Sequence, residues 1–301
     1  MRVFITGATG YIGLNVAAAY RRAGHEVWGL TRSPEKAHVL ARHEIRPVQG
    51  SMQEAGAWAD AARSCSVLIH AAVDYQEDTF KLDQQTVEFL LGLARQGPRP
   101  KTVIYTSGVW VYGGTAGGIA DETTPVNPPK LVAARPGIER LVLDARDARG
   151  IVIRPGCVYG YQGGLTGMWF SGAVVEKSLK AIGDGNNRWA MVHADDLADA
   201  YLRAGESGLA GEAFNITDRS RASVRDMVGA VACATGYQGE IRFVPVAEAA
   251  AKLGPFAECL ALDQHVDGRK AVRLLGWQPK HGGFVDEADT LYAAWQAAQP
   301  K

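Results

Sequence analysis

"TGATGYIG" (residues 6–13) is the stretch from which the fold is read. It follows "RVFIT" (2–6), a short β-rich run, and opens "YIGLNVAAAYRRAG" (11–24). In that second run Ile12, Val16, Ala19, Tyr20 and Ala23 recur at helical spacing, and Gly24 ends it. The segment therefore joins a strand to a helix. Glycine at 7 permits a tight turn, glycine at 10 lets backbone approach a pyrophosphate, and glycine at 13 lets the helix lie close on the strand. The helix start presents free N–H groups and the positive end of its dipole to the same anion. A nucleotide pyrophosphate held at the turn of Gly7, Gly10 and Gly13 is the expectation.

Working outward, further β-rich runs are read at 25–31, 45–50, 66–72, 101–108 and 150–156. Helical stretches fall at 34–42, 53–63, 77–96 and 132–149. Strands that alternate with helices imply βαβ units, and their nearly continuous apolar character implies burial on both faces. The expected class is α/β: a Rossmann-type doubly wound parallel sheet with a smaller C-terminal substrate lobe. Residues 1–156 would form the nucleotide-binding domain. Residues 157–301 would form the lobe, with a strand and helix near 188–205 returning to the first domain and an amphipathic helix near 284–298. Two glycine-rich loops, "GGTAGG" (113–118) and "GYQGGLTG" (160–167), are candidate lids.

The 301 residues carry 32 basic and 32 acidic side chains, so net charge gives no reason to expect nucleic acid or an acidic membrane as partner. The four cysteines form no C-x-x-C pair, which with the absence of a leader-like start or a long apolar run suggests a soluble, cytoplasmic protein with reduced thiols. No H-E-x-x-H or cysteine–histidine cluster suggests a metal site, and no G-x-S-x-G suggests a hydrolase.

The second strand ends in "GLTRSP". A carboxylate at this place would favour an unmodified ribose, whereas Thr31, Arg32 and Ser33 suit a 2′-phosphate. NADP(H) is therefore expected over NAD(H).

Seven motifs in order, "TGATGYIG", "LIHAA" (68–72), "VIYTSGVWVYG" (103–113), "VIRPGCVYG" (152–160), "GDG" (183–185), "VHADDLADAY" (192–201) and "LLGWQP" (274–279), carry a resemblance to the extended and atypical short-chain dehydrogenase/reductase superfamily. It covers nearly the whole chain and implies the fold more specifically than the reaction. The resemblance implies that Gly7, Thr9, Gly10, Tyr11, Ile12 and Gly13 hold the cofactor, that Ser51 and Met52 lie beside adenine, that Ala71 and Ala72 line the cofactor cleft, and that Pro155 and Gly156 flank the nicotinamide. It also implies that His193, Asp195 and Asp196 are framework residues, and that a homodimer forms through helices 77–96 and 132–149.

Hydride-transferring members of that group usually carry serine or threonine, tyrosine and lysine. Here the serine position is Gly108, beside Ser107, while the tyrosine and lysine positions are Leu131 and Arg135. No tyrosine lies between 112 and 159, and none of the ten has lysine four residues later. Pro136 places a helix start near 132–135. Arg135 supplies charge and hydrogen bonds but cannot give up a proton. Ser107, Tyr112 and Arg135 are the catalytic candidates, Ser107 and Arg135 also facing cofactor. Tyr75 and Tyr159 are alternative proton sources, and water held by Ser107 and Arg135 is another. Trp110, Tyr112 and Trp169 are the substrate-pocket candidates, suited to an apolar small molecule. Three functions follow in order: an NADP(H)-dependent reductase of an apolar carbonyl or imine, a non-catalytic NADP(H) sensor, and a sugar-nucleotide epimerase or dehydratase. The arginine that often binds sugar nucleotides stands four before the histidine, where this chain has Trp189, with Arg188 one residue earlier.

Overall fold

The computed structural model describes residues 1–74, 79–96 and 99–299. Strand β1 (Arg2–Thr6) runs through the glycine turn into α1 (Tyr11–Arg22), β2 (Glu26–Thr31), α2 (Pro34–Arg42) and β3 (Arg46–Gln49). A 3-10 segment (Met52–Trp58) and α3 (Ala59–Arg63) lead to β4 (Val67–His70), and α4 (Thr79–Ala94) precedes β5 (Thr102–Thr106). Next come α5 (Arg135–Leu143), β6 (Arg149–Pro155), β7 (Cys157–Tyr159), α6 (Gly167–Val174), β8 (Lys180–Ile182), β9 (Met191–His193) and α7 (Ala194–Glu206). The order closes with β10 (Glu212–Ile216), α8 (Val224–Thr235), β11 (Arg242–Val244), α9 (Val246–Leu253), α10 (Phe256–Leu260), α11 (Arg269–Leu275) and α12 (Ala288–Ala297).

Seven strands form one sheet in the order β10-β6-β5-β4-β1-β2-β3, all parallel. Side chains alternate across it. Val3 and Ile5 enter the layer shared with α1 and α7, while Phe4 enters the layer containing Trp58 and α4. Burial on both faces removes the alternation of polarity that marks a half-exposed strand. This is a Rossmann-like α/β sheet, whose ligands bind beyond the carboxyl ends of the strands.

The return to the sheet differs from the sequence expectation. The seventh strand is β10, paired with β6 from Glu212↔Ile151 to Ile216↔Pro155. Within 188–205, β9 instead pairs with β7 in a separate two-stranded sheet. It stops after three residues because His193 already caps α7, its Nδ1 accepting the Asp195 N–H at 3.1 Å. Helix α7 does return: the Tyr20 hydroxyl of α1 donates to the Tyr201 carbonyl at 2.6 Å. A separate aromatic core, including Trp169, Phe170, Trp189, Phe284 and Trp295, holds the smaller lobe. No helix among the described residues is long and apolar enough to cross a membrane.

Candidate functional site

Gly7 has φ +72°, and a Cβ there would stand 2.5 Å from the Ala71 carbonyl oxygen. The turn after β1 thus lies directly on Ala71–Ala72 after β4. At Gly13 a Cβ would stand 2.1 Å from the Gly7 carbonyl oxygen, so α1 sits on the turn as only glycine allows. Gly10 starts α1 without a side-chain cap, and the first turn has no acidic residue. Its N–H groups are left for an anion, and the cradle fits a dinucleotide pyrophosphate. The Tyr11 hydroxyl donates to the Gly160 carbonyl at 2.7 Å, tying this turn to the loop after β7. Burial, followed by the charges of Tyr161 and Asp195, raises its pKa. Tyr11 is a strut between the two halves of the cleft.

At the end of β2 the hydroxyls of two of the three expected phosphate ligands already have local partners. The Thr31 hydroxyl, buried, donates to the Ser33 carbonyl at 3.3 Å, and Ser33 Oγ caps α2 by accepting the Lys36 N–H at 3.2 Å. Only Arg32 reaches outward, its side chain 67% exposed. It meets Asp74 at 3.3 Å, and Gln53 donates to the same carboxylate oxygen at 3.2 Å. Asp74 went unread because 42 residues separate it from Arg32. The signal was a carboxylate just beyond β4, where such folds bind cofactor. Ser51 begins the 3-10 segment and its carbonyl accepts the Trp58 indole N–H at 2.8 Å, while Met52 packs on the neighbouring core.

Beyond β5 and β6 the structure brings Ser107, Gly108, Arg135 and Pro155 together. A Cβ on Gly108 would stand 3.3 Å from Arg135 Nη1 and 3.9 Å from the Pro155 carbonyl oxygen. Gly156, the next residue, is pressed so closely on Ala190 that a Cβ would stand 2.6 Å from its carbonyl oxygen. Arg135 begins α5, as Pro136 in its first turn dictates. Glu139, one turn later, accepts from Arg154 Nε at 3.0 Å and Nη2 at 2.6 Å, so a buried two-pronged ion pair fixes α5 against β6. Among the described residues Arg135 has no ion-pair partner, and its buried Nε has no hydrogen-bond partner. Ser107 is 3% exposed, and its Oγ likewise has no partner. Two unsatisfied donors at one strand end are costly unless a ligand takes them. Leu131, in the usual tyrosine position, sits half-buried in a 3-10 turn (Lys130–Val132).

Beneath this point runs a chain of buried polar groups that the sequence reading missed. Thr6 Oγ1 meets His70 Nδ1 at 2.6 Å, His70 Nε2 meets Asp83 at 2.7 Å, and the Tyr105 hydroxyl donates to the other Asp83 oxygen at 2.7 Å. Burial first, and the Asp83 charge second, raise the Tyr105 pKa, while Arg135 opposes the shift. Tyr105 is therefore held as a neutral donor to Asp83.

Tyr112 is corrected to a framework residue. It is 4% exposed, receives a hydrogen bond from Arg154 Nη1 at 2.6 Å and donates to Asn215 Oδ1 at 2.9 Å. Its hydroxyl is engaged on both sides and its ring is buried, as in a structural network. Trp169 is also corrected: it is 4% exposed and stacks on Trp189 with centroids 4.9 Å apart, inside the lobe core. Tyr159, fully buried, packs edge-on against His193 and Phe284. Tyr75 lies outside the described residues. Trp110 stays half-buried, edge-on to Phe256 of α10 at 6.0 Å. Beside it burial pushes the Cys157 thiol up to about 12. Cys259, within the field of Arg135, is pushed by burial up to about 11. Neither thiol is poised as a nucleophile.

His193, His281 and Glu287 offer ligand atoms within 4.8 Å of one another. Their geometry does not suit a metal. The imidazoles stack with centroids 3.5 Å apart and planes 17° apart, so their in-plane lone pairs run side by side instead of converging. His193 Nδ1 is already an acceptor, which places the ring proton on Nε2, the nitrogen that faces Gly160.

The model of the NAD dependent epimerase/dehydratase family matches residues 3–217. An uncharacterized protein of Schizosaccharomyces pombe is 26% identical over 295 residues, covering 95% of this chain and 98% of its own. The 4-hydroxy-2-methyl-3-oxo-4-farnesyl-3,4-dihydroquinoline-1-oxide ketoreductase of Stigmatella aurantiaca is 26% identical over 267 residues, covering 84% and 80%. Among solved structures, dTDP-glucose 4,6-dehydratase of Bacillus anthracis in complex with NAD superposes with a TM-score of 0.84 at 18% identity, covering 99% of this chain and 97% of that one.

Proposed function

The chain belongs to the NAD dependent epimerase/dehydratase family, and from that premise we propose that it is an NADP(H)-dependent reductase of an apolar carbonyl or imine whose developing anion is held by Arg135 and Ser107. The observation that carries this reading is the pair of partnerless donors beside Gly108 and Pro155. A nicotinamide bound beside Gly108 and Pro155 would supply the hydride that the carbonyl carbon takes up. As charge grows on the oxygen, the Arg135 guanidinium neutralises it and the Ser107 hydroxyl donates to it. The proton comes from water at the same oxygen, since arginine keeps its own. Trp110 and Phe256 offer an apolar wall for the body of the substrate. Arg32 supports the phosphorylated cofactor, with Asp74 holding it in place until phosphate arrives. The presence of a ketoreductase among the relatives supports reduction.

A reducing, cytoplasmic setting is part of the reading, supported by four free cysteines. So is a homodimer through α4 and α5, the latter presenting Leu141 at 37% exposure.

A second reading, a nucleotide sensor without turnover, is favoured by one specific observation: both hydroxyl positions of the usual site are apolar, at Gly108 and Leu131. Epimerisation and dehydration rank below both, since they generally need the missing tyrosine. One assay separates the readings. NADPH oxidation is followed against a panel of apolar aldehydes, ketones and imines, with NADH in parallel. Turnover that prefers NADPH supports the reductase, whereas tight NADPH binding with no turnover supports the sensor.

A further inference from the structure

A pocket of about 420 Å³ stands apart from the cleft at Gly108 and Arg135: none of Ser107, Gly108, Arg135 and Pro155 lines it. It lies past the end of β10, between the 217–221 loop, the 264–269 segment and the approach to Trp277. One edge of the 263–267 segment is tied to the loop at 115–120: Thr115 and Ala120 donate their N–H groups to the Asp263 and His265 carbonyls, each at 2.9 Å. Gln264 turns inward, its side chain donating to the Val109 and Gly113 carbonyls at 2.9 and 2.8 Å. His265 lines the pocket instead.

The walls divide by chemistry. The floor is apolar, with Ala190, Val266, Val272, Trp277 and Pro279, and Ile119 stands at the mouth 56% exposed. The rim is cationic: four arginines line the pocket against two aspartates, in a chain whose formal net charge is zero. Arg269 is neutralised by Asp267 at 2.6 Å. Among the described residues the side chains of Arg188, Arg219 and Arg221 have no ion-pair partner. Asp263 gives one carboxylate oxygen to the Arg188 backbone N–H at 2.8 Å. Arg188, Arg221 and His265 line the same pocket, and burial and then the charges of Arg221 and Arg188 push the His265 pKa down.

We infer that this pocket is a second binding site for a small apolar carboxylic acid, its carboxylate held by Arg188 and Arg221 and its body laid on Trp277, Val266 and Pro279. A guanidinium pair matches a planar carboxylate in shape and charge. A single negative charge suits the site better than a phosphate dianion, because Asp218 also lines the pocket. The apolar floor demands more than a bare anion.

Calorimetric titration of the intact protein with octanoate, octanamide and inorganic phosphate tests the site. Saturable octanoate binding is expected, with octanamide at least about tenfold weaker. Arg188→Gln and Arg221→Gln should each weaken octanoate about tenfold while NADPH binds as in the wild type, which shows that the variants fold. The proposal is overturned by no saturable binding of octanoate at millimolar concentration, by equal binding of acid and amide, or by phosphate competing as well as octanoate. It is also overturned if octanoate affinity survives both variants and falls only in Arg135→Ala.

Discussion

Arg135 Nη1 lies 3.3 Å from the point where a Cβ on Gly108 would stand. The guanidinium thus occupies the ground that the usual serine side chain would share, and Gly108 is what makes room for it. Its φ of 174° is extended backbone open to any residue, so Gly108→Ala introduces no backbone strain. The new methyl would push the mobile end of Arg135 aside. Stability within about 0.5 kcal/mol of wild type is expected, with a clear fall in kcat/KM. Thermal unfolding and steady-state kinetics on the same preparation check both.

Ser107→Ala removes a buried hydroxyl that has no partner. Deleting an unsatisfied polar group is neutral or stabilising, so its melting temperature should not fall. Turnover should drop by about 10²-fold, the usual loss on removing one oxyanion donor. A melting temperature that falls sharply would mean that the hydroxyl has a structural partner.

Tyr112→Phe should do the reverse. Removing this hydroxyl strands Arg154 Nη1 and Asn215 Oδ1 in a buried network. A loss of about 1–3 kcal/mol is expected in urea unfolding, with kcat close to wild type. A large fall in kcat in a protein that remains folded would return Tyr112 to the active site.

The proposed preference for NADPH rests on one exposed side chain, Arg32. Arg32→Gln should raise the Kd for NADPH at least about tenfold and leave that for NADH within about twofold. Fluorescence titration with both nucleotides measures the ratio. Equal effects on the two would show that Arg32 serves the adenosine and not a phosphate.

His193 gives the molecule an acid limit. Burial, then the neighbouring His281, lower its pKa below the ordinary 6.5, against the opposing charges of Asp195, Asp196 and Glu287. Tyr159 and Tyr161 also face the ring. A histidine with a lowered folded pKa leaves the unfolded chain binding more protons below about pH 6.5. Stability is therefore full above that value and declines as pH falls towards the folded pKa. His193→Asn keeps a helix cap and should flatten the drop in melting temperature between about pH 7.5 and 5.5. An unchanged slope would place the acid sensitivity elsewhere.

Much of the fold was legible because its signals are local. The Gly7–Gly13 turn, the apolar strands and the Pro136 helix start each depend on a few adjacent residues. The seventh strand was not read: "EAFNI" is short and pairs with β6 from about 60 residues away. The candidate site was legible where position in a motif determines it, as for Ser107, Arg135, Pro155 and Gly156. It was not legible where distant side chains choose partners. Asp74 reaches Arg32, Asp83 joins His70 to Tyr105, and Arg154 takes Tyr112 out of play. Trp169 reads alike as a pocket wall or as core, and only the Trp189 ring stacked on it decides.

The most direct measurement is NADPH-dependent turnover by Arg135→Ala with and without added guanidinium ion, beside the wild type. With the guanidinium group taking the developing charge, turnover should fall by about 10²–10³-fold and recover in part when guanidinium is supplied in solution. Turnover by Arg135→Ala at the wild-type rate would contradict the assignment of Arg135 to the reacting oxygen.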